Sequence, residues 1–263
     1  MPLWIGPQRK AHNNRFQPTS ALKRGVSSHD KDRVNNWGQS KIMKIVKLAF
    51  VMLLLTFSAK VLAEPPEDSV YLDGGESAKA LILAHGKGKH PTWLVVDPVR
   101  MGVHAELGYH TISLQMPTGF SDWREYADGF PDAYQAFEQA ISFLKNEKNV
   151  THVYLFGHSM GSRMASAYLS DTSDSGVSGL IVAGCRNNGG RPLSCDQNLD
   201  GVKVPVLDVW GGNNGKDSRS AEERSGMVSD RYTQVEIMDA NHKFEDSEDE
   251  LVEAVVEWLK NQK

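Results

Sequence analysis

The sequence predicts an α/β fold, a mostly parallel β-sheet with helices on both faces. Three observations predict it. Short apolar runs, among them Lys79–Ala84 (KALILA) and Gly179–Ala183 (GLIVA), have the length of buried strands. Helical patterns lie between these runs, which is the arrangement that joins parallel strands. One apolar run, Val153 to Phe156, leads straight into Gly157-His158-Ser159-Met160-Gly161, and a segment of small residues and helix formers follows. That is strand, sharp turn, helix, with a serine at the tip of the turn.

The elements follow in chain order. Residues 1–42 are polar and basic without an apolar period, and no fold is read in them. They are expected to be disordered, or a non-native upstream extension with translation starting at Met43. Lys44 and Lys47 form a positive start, and Leu48 to Phe57 is an apolar stretch of about ten residues, short for a bilayer's hydrocarbon core. Val61-Leu62-Ala63 then supplies residues that a signal peptidase reads. Residues 43–63 are therefore expected to be a signal peptide cut after Ala63, leaving one domain over 64–263. This places the protein in the periplasm or outside the cell, with no stable membrane span after cleavage. An uncleaved anchor or a buried helix is the alternative.

Within the domain, Val70–Leu72 and Lys79–Ala84 read as strands, and His85-Gly86-Lys87-Gly88 as a turn. Val99–Leu107 reads as a helix stopped at Gly108, and His110–Gln115 as a strand ended by Met116-Pro117. Thr118–Phe130 reads as a loop over one face. In Asp132–Lys148, Tyr134, Phe137, Ile141 and Leu144 recur at helical steps. After the glycine-flanked serine come strands at Gly179–Ala183, Val202–Trp210 and Thr233–Met238. The last helix, Ser247–Asn261, sets Leu251, Val255, Trp258 and Leu259 on one face and opens with acidic residues that suit its dipole.

The composition, 40% apolar and 24% charged, is that of a globular chain. The net charge of -4 conceals an asymmetry. Residues 1–63 hold 11 of the 29 Lys and Arg but only Asp30 and Asp32 among the acids, so residues 64–263 carry a net charge of about -13. So acidic a body is a poor nucleic-acid binder, since phosphate contacts need clustered cations. It slightly favours a neutral or cationic substrate.

A serine hydroxyl is a weak nucleophile at neutral pH. It needs a base, and the base needs an orienting group. His242 is the candidate base, on the loop Asp239-Ala240-Asn241-His242-Lys243-Phe244 between the last strand and the last helix. A loop at the carboxyl edge of a parallel sheet is where such a base reaches the serine. His158 is adjacent to Ser159, but neighbours on a tight turn point apart, so it reads as structural.

The motif Gly157-His158-Ser159-Met160-Gly161, the upstream His85-Gly86 turn and the Asn241-His242 loop, in that order, resemble the alpha/beta-hydrolase superfamily. Within it the chain is similar to small uncharacterised exported bacterial serine hydrolases. The resemblance covers Lys79 to the C-terminus. It implies a nucleophile at Ser159, a base at His242, and an oxyanion hole from the backbone N–H groups of Met160 and Lys87. It also implies an acid after the strand Val202–Trp210. Gapless register puts Asn214 there, Asp217 fits with a three-residue extension, and Asp208 lies inside the strand. Asp217 is favoured among the three. The loop Gly184 to Gly201, where many relatives insert a lid, is short, which predicts no large cap and an open site. Trp93, Phe120, Trp123, Tyr126 and Phe130 are candidates to line that site or to pack in the core.

Cys185 and Cys195 are the two cysteines, and export predicts a disulfide between them. The histidines and cysteines lack zinc-site spacing, and no nucleotide-binding glycine motif occurs, so no metal and no cofactor are expected. The sequence thus predicts an exported serine hydrolase acting on a small-molecule ester or thioester. The alternatives are a non-catalytic hydrolase-like scaffold binding a ligand or envelope partner, and a membrane-tethered interaction protein.

Overall fold

A computed structural model describes residues 63–262. The expected signal peptide, bar its last residue, and the upstream extension lie outside the described residues. Seven strands form one sheet in the order β1-β3-β2-β4-β5-β6-β7. They are β1 (Val70–Leu72), β2 (Lys79–Ala84), β3 (His110–Leu114), β4 (His152–His158), β5 (Val177–Ala183), β6 (Val206–Gly211) and β7 (Tyr232–Ile237). Every neighbouring pair is parallel except β1 with β3, where Val70 faces Ser113 and Leu72 faces Thr111.

The parallel pairs need crossovers, and helices supply them. They are α1 (Val96–Leu107), α2 (Phe130–Glu147), α3 (Met160–Asp171), α4 (Cys195–Leu199), α5 (Gly215–Glu223) and α6 (Glu248–Lys260). Alternate residues of the central strands feed two cores, as the two-residue period of a strand requires. Ile82, Leu155 and Leu180 face Phe137 and Ile141 of α2 and Met164 of α3. Leu81, Leu83, Phe156 and Ile181 face Val99 and Val103 of α1 and Leu251 and Val255 of α6. Both faces of the sheet are thus covered, which is why KALILA and GLIVA are unbroken apolar runs.

Several boundaries differ from those read in the sequence. Helix α1 begins at Val96, three residues early, because Pro98 falls in its first turn, where no N–H is needed. Strand β6 begins only at Val206. Pro205 has no N–H for a ladder, and the residues before it stay outside the strand. The carbonyl of Pro205 still accepts from the Leu180 N–H at 2.9 Å. The loop over Thr118–Phe130 holds a 3-10 turn, Glu125–Gly129. No large cap stands among the described residues: the loop after β5 holds only the five-residue α4. No described helix is long and apolar enough to cross a membrane.

The two sheet edges differ in kind. Strand β1 is three residues long. Strand β7 is six residues long and exposes Thr233 and Glu236.

Cys185 and Cys195 form a disulfide with Cα atoms 5.9 Å apart, closing the loop after β5. Closing a loop of this length removes unfolded-state entropy worth about 2–3 kcal/mol. Cys195→Ser paired with Cys185→Ser is expected to lower stability by that amount in urea titrations, and reductant is then without further effect. Equal midpoints for the two proteins would mean the bridge contributes nothing.

Candidate active site

Ser159 stands between β4 and α3, at φ 54° and ψ −108°, a backbone conformation that non-glycine residues avoid. Its N–H donates to the Ala183 carbonyl of β5 at 2.9 Å, and the Ser162 hydroxyl lies 2.5 Å from the Gly157 carbonyl oxygen. These bonds and the close packing hold the turn. A Cβ on Gly157 would come within 2.6 Å of the Ser162 Cα, and one on Gly161 within 2.6 Å of the Ala84 carbonyl carbon. Only glycine allows strand, turn and helix to approach so closely.

The structure brings the three residues of the expected triad together. The Ser159 Oγ is 3.0 Å from His242 Nε2, and His242 Nδ1 is 2.6 Å from Asp217 Oδ2. A carboxylate can only accept, so Nδ1 carries the hydrogen and Nε2 is free to accept from the serine hydroxyl. Asp217 is buried, and burial alone raises its carboxyl. The His242 contact and the Arg186 guanidinium outweigh that and hold it below the usual carboxylate value. Arg186 Nε donates to Asp217 Oδ1 at 2.7 Å.

The other two acid candidates have different work. Asn214 is the N-cap of α5, its side-chain oxygen accepting from the Lys216 and Asp217 N–H groups. It thereby fixes the first turn on which Asp217 rides. Asp208 is buried in β6 and pairs with Arg224 through both oxygens, at 2.8 and 2.9 Å, while Tyr232 donates to it at 2.9 Å. Arg224 also donates to the Cys185 carbonyl and to Asn187 Oδ1. The pair ties β6 to the loop after β5 and does not reach His242.

Two further histidines position the site. His158 Nε2 lies 2.8 Å from the His242 carbonyl, which must accept, so this nitrogen bears the hydrogen. His158 thus braces the loop that carries His242. Burial, reinforced by the nearby His242, pushes its pKa down to about 3, which keeps the ring neutral. His85 Nδ1 donates to the Gly86 carbonyl at 2.9 Å, and its Nε2 accepts from the Met116 N–H at 3.0 Å. Burial pushes His85 down to about 4. This clamp sets the turn bearing Lys87: a Cβ on Gly86 would lie 3.3 Å from the Ser159 Cβ. The N–H groups of Lys87 and Met160 have no acceptor among the described residues.

A cleft of about 630 Å³ opens over Ser159 and Met160. Of the aromatic candidates, Trp123 lines it. Tyr126 and Phe130 are buried in the core, with Phe120 packed against them, and Trp93 packs on the opposite face of the sheet. The charge of the cleft is opposite in sign to that of the body. The acidic body favoured neutral or cationic substrates, yet Lys87, Arg163, Arg186, Lys216 and Arg219 line the cleft against Glu223 alone among acids. Net charge sums the whole surface, whereas a substrate meets the local field. No group of side chains with metal-binding character occurs among the described residues.

Comparison with known proteins agrees with this fold. The structure superposes on Est1E from Butyrivibrio proteoclasticus, solved with ferulic acid bound, at a TM-score of 0.62 and 16% identity, over 76% of this chain and 98% of that one. It superposes on a dienelactone hydrolase from Anabaena variabilis at 0.61 and 20% identity, over 76% and 95%. An esterase from Pyrococcus furiosus gives 0.55 and 19%, over 73% and 84%. The fold is that of the alpha/beta hydrolases. A family described as a protein of unknown function (DUF3530) matches residues 132–261. That span takes in Ser159, Asp217 and His242 and leaves out Lys87. No curated protein matches the sequence. Two residues at the site escaped the sequence reading. Arg186 carries a signal in hindsight, since it follows Cys185 at the carboxyl end of β5. Arg163 carries none beyond its place four residues after Ser159.

Proposed function

We propose that this protein is a serine hydrolase of carboxylic esters or thioesters, working through an acyl-enzyme on Ser159. The observation that carries the reading is the continuous hydrogen-bonded chain Asp217–His242–Ser159, at 2.6 and 3.0 Å, ending on a serine held at positive φ. Ser159 Oγ attacks the substrate carbonyl as His242 Nε2 takes its proton. Charge builds on the carbonyl oxygen, and the N–H groups of Met160 and Lys87, unpaired among the described residues, are the donors suited to it. The imidazolium, steadied by Asp217, returns the proton to the departing alcohol or thiol. Water then attacks the acyl group, giving a proton to the same nitrogen, which passes it to Ser159 Oγ as the acyl–oxygen bond breaks and the carboxylic acid leaves. The titles of the similar structures, which name esterases and a dienelactone hydrolase, support an ester as substrate. The disulfide supports an oxidising compartment, periplasmic or extracellular, as the site of action.

A fluorophosphonate probe tests the reading, since it reacts only with an activated serine. Wild type is expected to be labelled, and neither Ser159→Ala nor His242→Ala. A folded wild type that resists labelling overturns catalysis and favours the ligand-binding scaffold.

A further inference from the structure

The charge of the cleft points to a class of substrate. Five cations line it. Lys87, Arg163, Lys216 and Arg219 have no carboxylate within 4.0 Å among the described residues, although residues 64–263 are strongly acidic. Arg163 is 6% exposed and meets Asn188 rather than an acid, at 3.2 Å to its carbonyl and 2.5 Å to its Oδ1. Burial and the neighbouring Arg186 push its pKa down to about 10, the response of a buried cation whose neighbour is another cation. Arg186 spends only Nε on Asp217. Its two terminal nitrogens have no acceptor among the described residues, and they belong to a planar fork suited to carboxylate or phosphate. Lys216 and Arg219 sit exposed on α5, one residue before and two after Asp217. Unneutralised cations gathered in a concave site raise the local concentration of anions and hold them there.

We infer that the cleft selects esters or thioesters whose acyl part carries an anionic oxygen group, carboxylate or phosphate, held by Arg186, Lys216 and Arg219 beside Ser159. The inference rests on the serine-hydrolase reading for the word ester; the preference for an anion stands on the cleft itself.

The test compares mono(4-nitrophenyl) adipate with its methyl ester, 4-nitrophenyl methyl adipate. The leaving group is the same and only the charge differs. Wild type is expected to show kcat/KM at least about 10-fold higher for the anion, the size of effect expected of a hydrogen bond to a charged group. The preference should shrink as sodium chloride rises from about 0.02 to about 0.5 M, since added salt shortens the reach of the cleft's charge. Lys216→Gln combined with Arg219→Gln should lower the anion-to-neutral ratio about 10-fold, and Glu223→Gln should raise it. Inhibition by inorganic phosphate or by adipate supports the site, and the stronger inhibitor identifies the group. Equal turnover of both esters, indifferent to salt, overturns the inference and leaves the hydrolase reading standing. If neither ester is turned over and the fluorophosphonate probe leaves folded wild type unlabelled, the hydrolase reading falls. Calorimetry of Ser159→Ala with monomethyl adipate and dimethyl adipate then decides the cleft alone. Tighter binding of the monoester supports it, and equal binding overturns it.

Discussion

Asp217→Asn is expected to lower kcat on a neutral activated ester by about 10⁴-fold while the protein stays folded, the size of effect seen when a triad acid becomes an amide. The structure says which way the amide would turn. Arg186 Nε donates to Oδ1 of Asp217, so an asparagine must present its oxygen there and its NH2 to His242 Nδ1. Nδ1 would then have to accept, which puts the ring hydrogen on Nε2, where the serine hydroxyl can no longer donate. The loss therefore has two parts, the wrong tautomer and the missing negative charge. Removing the Arg186 constraint should separate them. With Arg186→Gln added, the amide is free to flip, and the double variant should recover part of the loss. Single-turnover rates on a neutral ester, with melting curves alongside, measure both. A loss of less than about 10-fold in Asp217→Asn would mean Asp217 does not orient the base.

Stability is expected to fall steeply on mild acidification. His85 and His158 are buried, and burial pushes their pKa values down to about 4 and about 3. In the unfolded chain both should titrate near 6.5. The unfolded state thus takes up protons that the folded state refuses, so stability is complete above about pH 6.5 and drains as pH falls toward the folded values. Each histidine costs about 1.4 kcal/mol per pH unit in that window, so the pair removes about 4 kcal/mol between pH 7 and pH 5. His110, also lowered by burial, acts in the same direction. Asp217 adds a further loss only when pH passes below the usual carboxylate range, since its carboxyl is held low in the fold. Urea titrations across this range measure the slope. His85→Gln and His158→Gln should each remove about half of the pair's share of it, and a flat profile between pH 6.5 and pH 5 would mean these rings are not buried neutral.

The parts of the fold legible in the sequence are those whose physics is local. Lys79–Ala84 was bounded correctly because an apolar run buried on both faces starts and stops with its burial. The serine turn was legible because Gly157 and Gly161 are set by steric contact with the strand and helix beside them. The start of β6 was missed because hydrophobicity continues through Val202 and Val204, whereas the ladder is interrupted by a missing N–H at Pro205. The identity of the acid stayed open among Asp217, Asp208 and Asn214 for a related reason. All three lie near one strand end, and what separates them is where α5 begins. Asn214 caps that helix and Asp217 therefore faces His242, while Asp208 is claimed by Arg224 sixteen residues away. The cationic cleft was illegible, since its members come from four separate segments whose meeting depends on the fold.

The outer strand β7 has a consequence of its own. Among the described residues its outer side has no partner strand, and such an edge is the usual seed of sheet-to-sheet growth. Glu236 is exposed on it, and Gln234 beside it is engaged by Asp208 and the Ala221 carbonyl. A second strand extending the ladder would lie beside that exposed carboxylate, and the opposite border, β1, offers only three residues. Among the described residues, a charged side chain on one border and the brevity of the other both work against edge-to-edge growth.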